Sequence, residues 1–118
     1  MTLENLTASA IQLLKDLIEI PSFSSEEHLT AARIEAWFTT YKIPFQRSQN
    51  NIWATNADFD ASKPTLLLNS HHDTVKPNNG YTIDPFKAQV EDGKLFGLGS
   101  NDAGGCLVSL MATFTYFY

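Results

Sequence analysis

In the stretch Ser70-His71-His72-Asp73-Thr74-Val75, two imidazoles and a carboxylate stand side by side, directly after the apolar run Leu66-Leu67-Leu68. About 30 residues on, Asp102 sits in the glycine-rich turn Gly97-Leu98-Gly99-Ser100-Asn101-Asp102-Ala103-Gly104-Gly105. Imidazole nitrogens and carboxylate oxygens are ligands for zinc and related divalent metals. At an extended strand end, residues i and i+2 share a face and i+1 points the other way. His71 and Asp73 can therefore cooperate, with His72 on the opposite side as a wall or supporting residue. A ligating histidine donates its second ring N–H to a carboxylate or carbonyl, which fixes the tautomer and raises the basicity of the ligating nitrogen. Asp73 is placed to be that partner. Asp102 would add a carboxylate at the same edge, and carboxylate oxygens can bridge two metals.

Each piece also has a plainer reading. A His-x-Asp at a strand end can be polar punctuation, and Asp102 can be the N-cap of a helix from Ala103 onward. The two glycines of Gly97-Leu98-Gly99 fit a dinucleotide loop poorly, because Asp102 stands where the last glycine of that spacing should be and would repel a pyrophosphate. His28 falls in the first turn of a helix, where a solvated side chain is expected. Cys106 is expected to be a buried small hydrophobe rather than a nucleophile, since nothing nearby lowers its pKa.

The elements that must position these groups follow from periodicity. Residues 7–20 place Ile11, Leu14, Leu17 and Ile18 at helical spacing, with Thr7 or Ser9 as the cap and Pro21 as the stop. Ser24 with Glu27 forms a capping box for a second helix, whose apolar face carries Leu29, Ala32, Ala36, Trp37 and Tyr41. Residues 43–48 and 51–56 predict two short strands around a polar turn, and Asp92-Gly93 predicts a hairpin between the strands of residues 85–97. Thr65–Asn69 reads as a strand without alternation, hence buried on both faces in the middle of a sheet. The expected architecture is α/β, a mixed and mainly central β-sheet flanked by helices, with the motif beyond the carboxyl end of a central strand, where ligands gather in such folds.

Composition narrows the classes. The 118 residues, 43% of them hydrophobic, suffice for one domain with a core. The net charge of −5 comes from scattered acids, so neither nucleic acid nor an anionic membrane is an expected partner. A single cysteine excludes an internal disulfide and a multi-cysteine zinc cluster, and it fits a reducing, cytoplasmic setting. The N-terminus lacks the basic and apolar regions of a signal peptide. Ala103–Tyr118 carries no charge and predicts a helix buried all round, too short for a membrane span of about 20 apolar residues. It ends without a capping glycine or basic last turn, so residues 1–118 are expected to be the N-terminal portion of a larger catalytic domain.

The stretches Leu66 to Val75, Asp84-Pro85-Phe86 and Lys94 to Gly105, with the helical start ending in Glu19-Ile20-Pro21-Ser22-Phe23-Ser24-Ser25-Glu26-Glu27, resemble the zinc-dependent deacylases and exopeptidases. That family includes acetylornithine deacetylase, succinyl-diaminopimelate desuccinylase, aminoacylase and glutamate-releasing carboxypeptidases. The resemblance covers essentially the whole chain. It implies that His71 binds one zinc (or cobalt), that Asp73 is the catalytic-site group orienting it, and that Asp102 bridges two metals. It further implies a general base from a downstream pair of glutamates, an N-acylated amino acid as substrate, a satellite domain and a homodimer at full length. Ser70 stands where the family often has glycine, Lys76 precedes Pro77 where proline often follows the valine directly, and Leu98 replaces a frequent arginine. The glycine-rich turn looks most like the acetylornithine deacetylase branch of arginine biosynthesis. One histidine and one bridging aspartate cannot fill a four-coordinate zinc site, so residues 1–118 alone are expected to bind metal weakly and to lack deacylase activity. The rival from another class is a non-enzymatic α/β binding domain whose apolar C-terminal helix makes it an obligate dimer.

Overall fold

A computed structural model describes all residues, Met1–Tyr118. Helix α1 spans Leu3–Glu19 and begins earlier than the apolar periodicity predicts, because the Thr2 hydroxyl accepts the Asn5 amide at 3.1 Å and Glu4 lies in the positively polarised first turn. Its buried stripe is Leu6, Ala10, Leu13, Leu17 and Ile18, while Ile11 is 47% exposed.

Helix α2 spans His28–Thr40 and starts without the expected capping box: Glu27 occupies the N-cap position with no side-chain cap bond, and the Ser24 hydroxyl is engaged elsewhere. Its inner face is Thr30, Ala31, Ile34, Trp37 and Phe38, so only Trp37 of the predicted face is buried and Leu29 is exposed. The alanines and threonines of α2 weaken its amphipathic contrast, and packing rather than pattern decides which stripe turns inward. Arg33 reaches Asp16 of α1 at 2.8 Å.

The strands form two separate antiparallel hairpins. β1 (Gln46–Ser48) pairs with β2 (Asn51–Trp53) in the register Arg47 to Ile52, and β3 (Gln89–Glu91) pairs with β4 (Lys94–Phe96) in the register Val90 to Leu95. Both expected turns are in place. Helices and strands are mixed as expected for an α/β chain, but Thr65–Asn69 corrects the reading of a buried central strand. The segment joins no ladder, and Leu66 and Leu67 are 83% and 80% exposed. An apolar run registers a demand for cover, and neither hairpin lends this one an edge.

Helix α3 spans Gly105–Phe117 and is not buried all round. Val108, Met111 and Thr115 face the core, whereas Cys106, Tyr116 and Phe117 are exposed, which also corrects the expectation of a buried Cys106. The core gathers Leu6, Ala10, Leu13 and Leu17 of α1, Ile34, Trp37 and Phe38 of α2, Ile43, and Val108 and Met111 of α3. Between α2 and α3 the Trp37 indole N–H donates to Thr115 Oγ1 at 3.0 Å. No helix is long and apolar enough to cross a membrane.

Candidate metal centre

Pro21 ends the run into α1's C-terminus, and the next three residues take up the task of positioning the motif. The Thr74 amide donates to Ser22 O at 2.8 Å and the Ser24 amide donates to Thr74 O at 3.2 Å, a parallel bridge centred on Phe23 and Thr74. That bridge brings the Ser24 hydroxyl onto Asp73, where Oγ donates to Oδ2 at 2.6 Å. The second carboxylate oxygen, Oδ1, lies 3.1 Å from His71 Nδ1, and the Asp73 carbonyl lies equally close to that nitrogen. Both neighbours are acceptors, so Nδ1 carries a proton. The i, i+2 relation expected from the sequence is present in space.

The opposite ring nitrogen, His71 Nε2, faces Asp102 Oδ1 at 3.1 Å. Asp102 reaches this point because the chain from Ser100 to Gly104 forms a wide turn, closed by Gly104 N to Gly99 O at 2.8 Å. Gly99 enters that turn at φ +79, and a Cβ there would stand 2.7 Å from the Thr74 methyl carbon, so only glycine lets the turn press against the motif. Asp102 itself is extended (φ −121, ψ 92), its peptide bond to Ala103 is cis, and its side chain is 89% exposed. It caps no helix: Gly104 holds the N-cap position of α3, without a side-chain cap bond.

Electrostatics follow the contacts. Partial burial is the largest single influence on His71 and pulls its pKa down. The Asp73 carbonyl, the Asp102 hydrogen bond and the charges of Asp73 and Asp102 together outweigh it, so the imidazole titrates above its ordinary value. The Ser24 hydroxyl is the main cause that holds the Asp73 carboxyl below its ordinary value, against an opposing desolvation and with the help of His71.

The structure thus brings His71, Asp73 and Asp102 together, while His72 points to the other face, with its ring between Thr30 and Asn50. No group of three or more metal-ligating side chains converges anywhere in the chain. His28 is exposed at the start of α2. Ser24 and Thr30 escaped the sequence reading. Ser24 looked like a helix cap, and Thr30 is an inward-facing hydroxyl that no local pattern distinguishes from core.

Residues 67–117, which include both motifs, match the family model described as peptidase family M20/M25/M40. Over 110 residues, 88% of the chain, the sequence is 33% identical to a succinyl-diaminopimelate desuccinylase of Xylella fastidiosa (strain 9a5c), of which it covers 28%. It is 31% identical over 107 residues to a probable succinyl-diaminopimelate desuccinylase of Staphylococcus aureus (strain Mu50), covering 87% of this chain and 27% of that protein. It is 29% identical over 115 residues to the succinyl-diaminopimelate desuccinylase of Beijerinckia indica, covering 91% of this chain and 30% of that protein. The chain spans less than a third of the length of these curated relatives. The motifs that carry the geometry thus lie within the segment that matches peptidase family M20/M25/M40, and the chain is similar to that family there.

Proposed function

We propose that this chain supplies part of the metal centre of an amide hydrolase that removes an acyl group from an N-acylated amino acid. The observation that carries the reading is His71 held from both sides, Nδ1 on Asp73 and Nε2 at 3.1 Å from Asp102 Oδ1. The donor set fits zinc, with cobalt as an alternative. Imidazole nitrogen and carboxylate oxygen are ligand types that zinc takes, and the structure holds one of each 3.1 Å apart. His71 Nε2 and the Asp102 carboxylate would hold the metal. When bound, the metal supplies Lewis-acid polarisation of an amide carbonyl and acidification of water.

The chain's own residues do the rest. Asp73 keeps the Nδ1 proton, so that Nε2 would present its lone pair to a metal on giving up the proton it shares with Asp102, and Ser24 keeps Asp73 ionised and aimed. The Asp102 carboxylate, 89% exposed, leaves room for a substrate and would hold metal beside His71. Two protein ligands are fewer than a closed site requires, so further ligands and the general base come from outside these 118 residues on this reading.

The acyl group is the finer question. The glycine-rich turn resembles the acetylornithine branch, whereas the relatives described above are named for desuccinylation, which makes an N-succinylated amino acid the first substrate to try. The same reading has the protein act on a small molecule in the cytoplasm, in keeping with its scattered acids and lone cysteine, and as a homodimer at full length.

The test is hydrolysis of N-succinyl and N-acetyl amino acids by the full-length gene product with added zinc or cobalt, wild type beside Asp102→Ala. Metal-dependent turnover that the substitution abolishes is expected. Turnover that persists without metal, or is untouched in Asp102→Ala, overturns the assignment.

A further inference from the structure

His72 has no place in the ligand set, yet it is the better anchored of the two histidines. Its Nε2 lies 2.8 Å from Asn50 O, in the turn between β1 and β2, and its Nδ1 lies 2.7 Å from Thr30 Oγ1, on α2. A backbone carbonyl only accepts, so Nε2 carries the proton and donates it. Thr30 is fully buried, and its hydroxyl stands between two acceptors, Glu27 O at 3.0 Å and the His72 ring. With Nε2 protonated, Nδ1 of the neutral ring is an acceptor, so the hydroxyl's one proton is shared between Glu27 O and Nδ1.

The backbone around this ring makes the arrangement consequential. From Pro64 to Asp73 the chain makes no backbone-to-backbone hydrogen bond, and the first is at Thr74. Upstream of the bridge at Thr74, the segment that carries His71 and Asp73 is therefore registered through its side chains, with Ser24 holding Asp73 on one face and Thr30 and the Asn50 carbonyl holding His72 on the other. Because alternate residues of an extended segment point to opposite faces, fixing the His72 ring fixes the rotation of the backbone that aims both neighbours.

We propose that His72 is a positioning residue: clamped between Thr30 and Asn50, it sets the orientation of the His71–Asp73 pair and, through it, the affinity for the metal. The second half of this rests on the metal-centre reading above, and the first half does not.

The experiment uses the histidine-labelled full-length protein in two measurements. Nitrogen-detected ring correlations of the metal-free protein read the His72 tautomer and the His71 Nδ1 proton, and chelator competition reads the zinc affinity. The variants are His72→Phe, which keeps a ring without its bonds, Thr30→Val, which keeps the volume without the hydroxyl, and Thr30→Ser, which restores the hydroxyl. Expected are an Nε2-protonated His72 in the wild type, loss of the bonded His71 Nδ1 proton in His72→Phe and Thr30→Val, and zinc affinity about 10-fold lower in both. Thr30→Ser should match the wild type, which a purely volumetric role of Thr30 would not produce. An unchanged His71 signal in His72→Phe and Thr30→Val overturns the proposal. A His71 signal that responds as expected in a wild type that binds no zinc leaves the clamp standing and overturns the metal-centre reading instead.

Discussion

Ser24 Oγ and Asp73 Oδ2 are 49 residues apart in sequence and 2.6 Å apart in space. The contact exists because the loop after α1 pairs with Thr74 through its backbone, so that a serine next to that bridge faces the carboxylate next to it.

Ser24→Ala should therefore be felt at Asp73 and then at His71. A hydrogen bond to a charged group is worth about 1.5 to 3 kcal/mol when sheltered, and the 36% exposure of the Asp73 side chain brings the expected loss of stability to about 1 kcal/mol. Since this hydroxyl is the main cause of the lowered Asp73 pKa, the variant should also titrate Asp73 closer to the ordinary carboxylate value. Carbon-detected titration of the Asp73 carboxyl checks it, and an unmoved midpoint would mean that the serine is not bonded in solution.

The pH dependence has two edges. His71 titrates above its unfolded value of about 6.5, so its contribution to stability is complete below that pH and is lost as pH rises through the higher folded value. Asp73 titrates below its unfolded value of about 3.9, so its contribution is complete above that pH and is lost as pH falls through the lower folded value. In the metal-free protein both contribute fully only between about pH 4 and 6.5. Ring-proton NMR should place the His71 midpoint above 6.5 and should show it falling in Asp102→Asn. A midpoint indifferent to that substitution would separate Asp102 from His71.

What was legible in the sequence was local. The Asp92-Gly93 turn and the polar turn at Gln49-Asn50 announce their hairpins because turn chemistry acts over a few residues, and the shared face of His71 and Asp73 follows from the two-residue period of extended chain. The long-range partners were not legible. Ser24 fits a capping box on paper, and only the bridge to Thr74 diverts its hydroxyl to Asp73. The run Leu66-Leu67-Leu68 reads as buried because hydrophobicity states a preference without naming the surface that satisfies it, and in the structure that surface is not among the two hairpins. Asp102 could be a helix cap or a ligand until the turn from Ser100 to Gly104 sets it extended and aims it at His71.

The glycines of that turn give a sharper prediction. A Cβ on Gly104 would stand 2.6 Å from both Gly99 O and Leu14 Cδ1. The leucine can rotate away, but the carbonyl is the acceptor of the Gly104 amide itself and cannot move without opening the turn. Gly104→Ala should therefore shift Asp102 away from His71, at a cost in stability of about 1 to 3 kcal/mol as for other overpacked sites. Gly104 is right-handed (φ −56), so its clash is the whole effect; Gly93→Ala, left-handed at φ +73 with nothing within 4 Å of its Cβ, is the comparison that destabilises away from this turn without a clash. Denaturant melts and the His71 ring shifts of both variants check this. Equal ring shifts in the two would remove the turn from the positioning of Asp102.

The contact between α2 and α3 should respond to a change of one hydroxyl. Trp37 and Thr115 are 3% and 4% exposed, the indole N–H donates to Thr115 Oγ1, and that hydroxyl passes its own proton to Met111 O at 2.7 Å. Thr115→Val keeps the volume and leaves the indole N–H buried without an acceptor, which costs about 1 to 3 kcal/mol. Thr115→Ser keeps the acceptor and loses only a methyl group, worth about 1 kcal/mol. The valine variant should therefore be the less stable of the two, although it is the more hydrophobic, and its tryptophan emission should shift where that of the serine variant does not. If valine proved equal to or better than the wild type in denaturant melts, burial of the methyl groups would hold α2 against α3, and the hydrogen bond would be incidental to the packing.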